Sequence, residues 1–244
     1  VNQASAKDMA LYEASVLKMA RNVGKAPQEL AEALYFVTSA GFEGSKALKI
    51  LEQSAKASAA GMGKTETIAD ALTSALNVYR SAGLSAAKAT DIMTAAVRVG
   101  KMEPEEMAGN IGKVIPMAKQ MKVGFGEVAA SLSAMTLAGI KTDEAAVALN
   151  QFFTTLLKPN KQGVEALKSV KLSYSDLRKE LAEKGVVATM RTLTQAFEGN
   201  TEGLVKVLGN ARATRAVLAM TGLTAEQLDE VFKGVSKSAG DMNS

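Results

Sequence analysis

Apolar residues recur at three- and four-residue intervals along most of the chain, the spacing that lays a hydrophobic stripe along one side of a helix. Met9, Tyr12, Val16, Met19 and Val23 mark a first helix from Ser5 to Asn22, ended by Gly24. Pro27 suits the first turn of a second helix that runs to Ala40 and stops at Gly41. A third extends from about Ser45 to Ala60 and ends at Gly61; Thr65 or Thr67 opens a fourth to Ala82; Gly83 closes it and Ser85 caps a fifth to Val99. Pro104 places the start of a sixth helix reaching about Lys122, and a seventh covers Gly126 to Ala138.

The stretch with the clearest ends is GIKTDEAAVALNQFFTTLLKP, from Gly139 to Pro159. Gly139 closes what precedes it, Thr142 can cap, Asp143 and Glu144 suit the positive end of a helix, and Lys158 with Pro159 marks the stop. Ala145, Leu149, Phe152, Phe153 and Leu156 share one face, and Asn150, Gln151, Thr154 and Thr155 form an uncharged polar strip on the other. A helix of this kind needs neighbours on most sides, so it is expected at the centre of the fold. Leu149, Phe152, Phe153 and Leu156 are then core anchors, and the polar strip is a candidate contact with another helix or subunit.

Beyond it the pieces are shorter. Pro159 begins a helix to about Ser169, a loop holds Val170 to Ser173, and Asp176–Lys184, Val186–Phe197, Thr201–Leu208 and Asn210–Met220 follow, punctuated by Gly185, Gly199, Gly209 and Gly222. Thr224 with Gln227 forms a capping box for a last helix to about Ser238. Two parts are expected: long helices over 1–158, and a shorter-helix subdomain packed on them over 159–244, with the boundary at Pro159. Gly61, Gly100 and Gly139 are about 39 residues apart. GFEGSKALKIL and GLSAAKATDIM share a Gly-apolar start and a lysine at the same offset. Both features suggest a weak stacked helix-pair repeat, beside the plainer reading that regular loops in any helical array look this way.

Composition supports this picture. The chain of 244 residues is 47% hydrophobic with no Trp and only 5% aromatic residues, so its apolar content is mostly Ala, Leu, Val and Met. Those residues favour close-packed helices, and no segment reads as a strand. The expected class is all-α: a multi-helix bundle or an array of antiparallel helix pairs, with no sheet. No charge-free run reaches the roughly 18 residues that a membrane span requires. Val1 at the start and the polar SKSAGDMNS at the end read as the edges of a piece cut from something longer.

Charge and chemistry add little. A net charge of +4 commonly means no more than a basic domain. The chain has no Cys and no His, which removes disulfides, thiol chemistry and the commonest general base and metal ligand. AAGMGKT, from Ala59 to Thr65, looks like the end of a phosphate-binding loop, but Ser58 stands where that loop needs its first glycine and a helix precedes it instead of a strand. The acidic groups Glu105/Glu106, Asp143/Glu144 and Glu226 with Asp229 and Glu230 are explained mainly as first-turn residues. Arg212 and Arg215 read as a solvated face. The run from Gly109 to Ile140, rich in small residues and Met, fits either tight helix crossings or a segment able to enter a membrane; Lys113, Lys119, Lys122 and Glu127 favour the crossings. No catalytic, cofactor or metal site is expected.

LAEALYFVTSAGF, IADALTSALNVYRSAGLSAAKATDIM, EPEEMAGNIGKVIPMAKQMKVGFGEVAASLSAMTLAGI, AAVALNQFFTTLLKP and LGNARATRAVLAM occur in an order that resembles the core region of phage tail tape measure proteins. The resemblance covers about Ala10 to Met220 and lies in the order of segments. AAVALN (Ala145 to Asn150) and VKLSYSDLRKE (Val170 to Glu180) depart from it. It implies a structural, non-enzymatic protein that sets tail length during assembly and leaves with the DNA. It would be made in the host cytoplasm and housed in the tail-tube lumen of the virion. The implied partners are tail tube and tail-tip or baseplate proteins, tail assembly chaperones and further copies of itself. Membrane contact on ejection and DNA contact stay open. Breaks every 15 to 20 residues or so suit a compact bundle, with a radius of gyration of about 18 Å, over a continuous rod. An α-solenoid that binds protein and a carboxylate-based cell-wall hydrolase are the alternatives.

Overall fold

The computed structural model describes residues 6–239, so the expected start of the first helix at Ser5 lies outside the described residues. Within them the chain forms fourteen α-helices, one 3₁₀ turn (Arg80–Ala82) and no strand. The helices are α1 (Ala6–Val23), α2 (Pro27–Ser39), α3 (Gly44–Ala59), α4 (Thr65–Val78), α5 (Ala86–Val99), α6 (Pro104–Ile111) and α7 (Ile115–Gln120), followed by α8 (Phe125–Leu137), α9 (Thr142–Leu157), α10 (Lys161–Ser169), α11 (Tyr174–Ala196), α12 (Thr201–Leu208), α13 (Ala211–Thr221) and α14 (Ala225–Ala239). The fold is all-α, as the spacing of apolar positions implies.

Four expected boundaries change, each for a local reason. The sixth helix does not continue to Lys122; it splits into α6 and α7 because Pro116 has no N–H for the carbonyl of Gly112, and its ring crowds that carbonyl. The fourth helix ends at Val78 and a 3₁₀ turn completes the path to Gly83. Thr142 is the first helical residue, with Lys141 in the capping position. Pro159 precedes α10 instead of opening it, and the Asn160 side chain caps that helix by accepting from Gly163 N at 2.7 Å.

The regular feature of the chain is a corner. After α2, α3, α7, α8 and α10 one residue takes a left-handed conformation: Gly41, Gly61, Lys122, Gly139 and Lys171. Its N–H bonds three residues back, and the N–H of the next, apolar residue (Phe42, Met62, Val123, Ile140 or Leu172) reaches the carbonyl five back, at 2.9–3.3 Å. This is the Schellman arrangement, which satisfies helix-end carbonyls and tucks the apolar residue inward. At four of the five corners the next helix begins two residues after that apolar residue. The expected 39-residue period is not built this way, since Gly100 is not among the left-handed residues. A Cβ there would meet Ser133 Cα at 3.0 Å, so Gly100 serves close approach to α8.

Contacts divide the chain into two compact units, one formed by the chain up to Thr94 with Glu103–Gly112, the other by Ala95–Met102 with the chain from Lys113 onward. The division falls inside α5 and around α6, away from the expected boundary at Pro159. Residues on both sides of Pro159 belong together because α9 packs against α11, α12 and α13. In the first unit α4 is the hub and contacts α2, α3 and α6. Glu29 of α2 accepts the Thr65 hydroxyl at the start of α4. That bond, with help from Lys25, holds the Glu29 carboxyl below its ordinary range.

In the second unit the most enclosed element is α8, beside α9. Eleven of its thirteen residues are buried. α8 touches α7, α9, α11, α13 and α14. It lacks a polar face; the Ser133 hydroxyl bonds to Ala129 O of its own helix at 3.0 Å and to Ala96 O at 2.8 Å, while the Ser131 hydroxyl is enclosed without a hydrogen-bond partner. α9 was expected at the centre; it shares that place with α8, since Val147 on α9 is 51% exposed.

Candidate functional site

Leu149, Phe152 and Phe153 have no exposed surface and Leu156 retains 1%. The two Phe rings lie 5.6 Å apart, tilted by 56°. Helical spacing places the four residues on the α9 stripe that faces the second unit's interior.

The polar strip opposite them is taken up largely inside the unit. Thr155 is buried, and Asn150, Gln151 and Thr154 are half-buried. Thr155 Oγ1 donates to Leu208 O at 3.3 Å, and Gln151 Nε2 donates to Thr155 Oγ1 at 3.1 Å and more weakly to Leu208 O at 3.5 Å. Thr154 bonds its own helix at Asn150 O, 2.8 Å, while Asn150 Oδ1 is enclosed without a hydrogen-bond partner. Of the four, Gln151 and Thr155 reach the end of α12; Thr154 and Asn150 show no bond to it.

That end is where the second half of the chain is tied together. The last carbonyls of a helix have no internal partner. In α12 three of them are met by side chains from three other elements: Lys206 O by Asn160 Nδ2 at 3.1 Å, Val207 O by the Tyr174 hydroxyl at 2.9 Å, and Leu208 O by Thr155. Gly209 then turns left-handed to leave the helix. Burial pushes the Tyr174 hydroxyl up to about 12, so it stays a proton donor across the physiological range. Space is tight: a Cβ on Gly163 would lie 2.1 Å from the Tyr174 hydroxyl oxygen. Arg178 Nη1 donates to Leu156 O at 2.8 Å and so closes α9 from α11. Glu144 and Arg215 pair between α9 and α13. Asn160, Lys161, Gln162, Val205, Lys206 and Gly209 line an open recess of about 360 Å³ beside the end of α12.

A second polar feature lies on α8. Glu127 Oε1 accepts from Val186 N at 2.6 Å and so caps the second half of α11. Burial raises the Glu127 carboxyl above its ordinary value, and the Val186 amide opposes this only in part.

The other candidates stay apart. Gly61 and Gly63 are both left-handed, and Thr65 begins α4, so AAGMGKT is a helix-to-helix junction. Glu105 and Glu106, Asp143 and Glu144, and Glu226 occupy the first turns of α6, α9 and α14. Among the described residues no three acidic side chains gather as metal ligands would. Sequence reasoning missed Asn160, Tyr174 and Glu127. One signal was legible: Asn stands immediately before α10, α12 and α13 and caps each. Ser173 and Asp176 likewise form a capping box for α11. Nothing local marks Tyr174 or Glu127, whose partners are 33 and 59 residues away.

A protein-family model described as phage-related minor tail protein matches residues 13–211. The chain is 28% identical over 239 residues to the probable tape measure protein of Clostridium phage phiCD119, an alignment covering 94% of this chain and 25% of that protein. It is 22% identical over 240 residues to the tape measure protein of Pneumococcus phage Dp-1, covering 97% and 21% respectively. The chain thus spans about a quarter or less of the length of these relatives. No solved structure gives a significant match.

Proposed function

This chain belongs to the phage-related minor tail protein family, and on that premise we propose that it is a folded helical module of a tape measure protein, structural and not catalytic, housed in the phage tail. One observation carries the reading: two proteins named for tape measure align over nearly all of this chain while giving it only a quarter or less of their own length. A ruler made of helix needs continuity, because each residue adds about 1.5 Å only while the helix runs on. Among the described residues the longest helix has 23 residues and is itself interrupted, and five helix ends of one design break the continuity of the chain. The module therefore contributes a folded body to a longer protein whose remainder does most of the measuring.

In this reading the partners are tail tube and tail-tip or baseplate proteins, the tail assembly chaperones and further copies of the same protein. The protein is made in the host cytoplasm and ends in the tail-tube lumen. No described helix is long and apolar enough to cross a membrane. Mass spectrometry of purified intact tails is expected to find peptides from across residues 6–239. Complete tails lacking those peptides would overturn the proposal.

A further inference from the structure

α11 folds back on itself at a single residue. Residues 174–184 and 186–196 are both helical, and Gly185 between them stands at φ 83°, ψ −176°. Neither half contains proline, and glycine inside a helix is tolerated at modest cost, so one continuous helix is open to this segment. Two bonds hold the bend. Glu127 Oε1 on α8 accepts the Val186 N–H, the amide that in an unbroken helix would bond to the carbonyl of residue 182. The Thr192 hydroxyl donates to Glu180 Oε1 at 3.0 Å. In a straight helix those two residues would be separated by about 18 Å along the axis, beyond the reach of their side chains.

We propose that α11 is a two-state element: bent around Gly185 while the Glu127 carboxylate caps its second half, and a single helix of about 35 Å once that carboxylate is withdrawn. The exchange keeps Val186 N–H bonded in both states. When Gly185 moves from its positive-φ extended conformation to the right-handed helical region, Val186 N–H passes from Glu127 to an acceptor within its own helix. In the bent form Leu177, Leu181, Val186, Met190 and Leu193 are buried, which favours that state in the compact unit. The element changes the reach of the chain without melting the helix.

The chain has no cysteine, so nitroxides attached to S175C and Q195C report on α11 alone. Both positions are exposed. In an otherwise unchanged chain, pulsed electron resonance is expected to give a short separation, with the labels on folded-back halves. A Cβ at residue 185 would lie 2.5 Å from Glu127 Oε1, and an L side chain is strained at this φ. The double variant Gly185→Ala with Glu127→Ala is therefore expected to gain a population near about 30 Å, with helical circular dichroism undiminished. Glu127→Gln with Gly185 intact is expected to keep the short distance, because the side-chain amide oxygen still accepts from Val186 N–H. A double variant that stays short while folded would make Gly185 a fixed corner and overturn the proposal. Loss of helical signal with a broad distance distribution would overturn it too, since the alternative to the bend would then be disorder.

Discussion

Lys122 and Lys171 sit at φ 62° and 60°, in the same corner position that Gly41, Gly61 and Gly139 occupy at φ 88°, 88° and 89°. An L residue in this region costs about 1–2 kcal/mol, and both lysines are exposed. Replacing either with glycine removes that strain but also loosens the unfolded chain by about 0.5–1 kcal/mol. The balance predicts that Lys122→Gly and Lys171→Gly each stabilise the fold by about 0.5–1 kcal/mol. Gly139→Ala supplies the reverse case: a Cβ there meets nothing within 4 Å, so no native clash adds to the same balance of strain and unfolded-chain freedom. It should destabilise by a similar amount. All three positions fall in the second compact unit, so calorimetry resolving that unit's transition is the assay. For a chain of this size 1 kcal/mol corresponds to about 2–4 °C. A lower midpoint for Lys122→Gly, or a higher one for Gly139→Ala, would refute the argument that these corners are set by backbone conformation.

Glu127→Gln tests the buried carboxylate on α8. Its folded-state value is raised above the ordinary 4.5, so the folded chain binds this proton more tightly than the unfolded chain does. The stability linked to that proton is fully present below 4.5 and is lost as pH rises through the folded value. Gln keeps an acceptor for Val186 N–H without the charge, so the variant is expected to melt above wild type at pH 7, with the difference closing toward pH 4; a constant difference would argue against a charge effect. Phe153→Ala empties a fully buried site and should cost about 3–5 kcal/mol, measured by denaturant titration. Unchanged stability would contradict the placement of α9 at the core.

Local rules made much of this fold legible. Apolar spacing located α2, α3, α5, α8 and α9, and the buried set Leu149, Phe152, Phe153 and Leu156 follows from the α9 stripe. Gly185 was visible as a break between two helices, which it is. The clearest local miss was Pro116, whose effect on the path from α6 to α7 needed only its missing N–H. Other misses are not local. The strip Asn150, Gln151, Thr154 and Thr155 reads as uncharged polar surface until α12 ends against it, and Leu208 is 53 residues from Thr155. Periodicity also identifies faces better than it identifies centres. α8 has small residues on every side and therefore weak amphipathic contrast, yet it is buried more completely than the well-marked α9.

The central claim is that this chain is a folded body within a longer tail protein and not a stretch of its ruler. In-frame deletion of residues 6–239 from the full-length protein, followed by electron microscopy of the tails, tests it most directly. As continuous helix, the 244-residue chain would span about 370 Å. The account predicts failed assembly, or tails whose length does not fall by about 1.5 Å per residue removed. Intact tails shortened in strict proportion to the deletion, and to partial deletions within it, would contradict it.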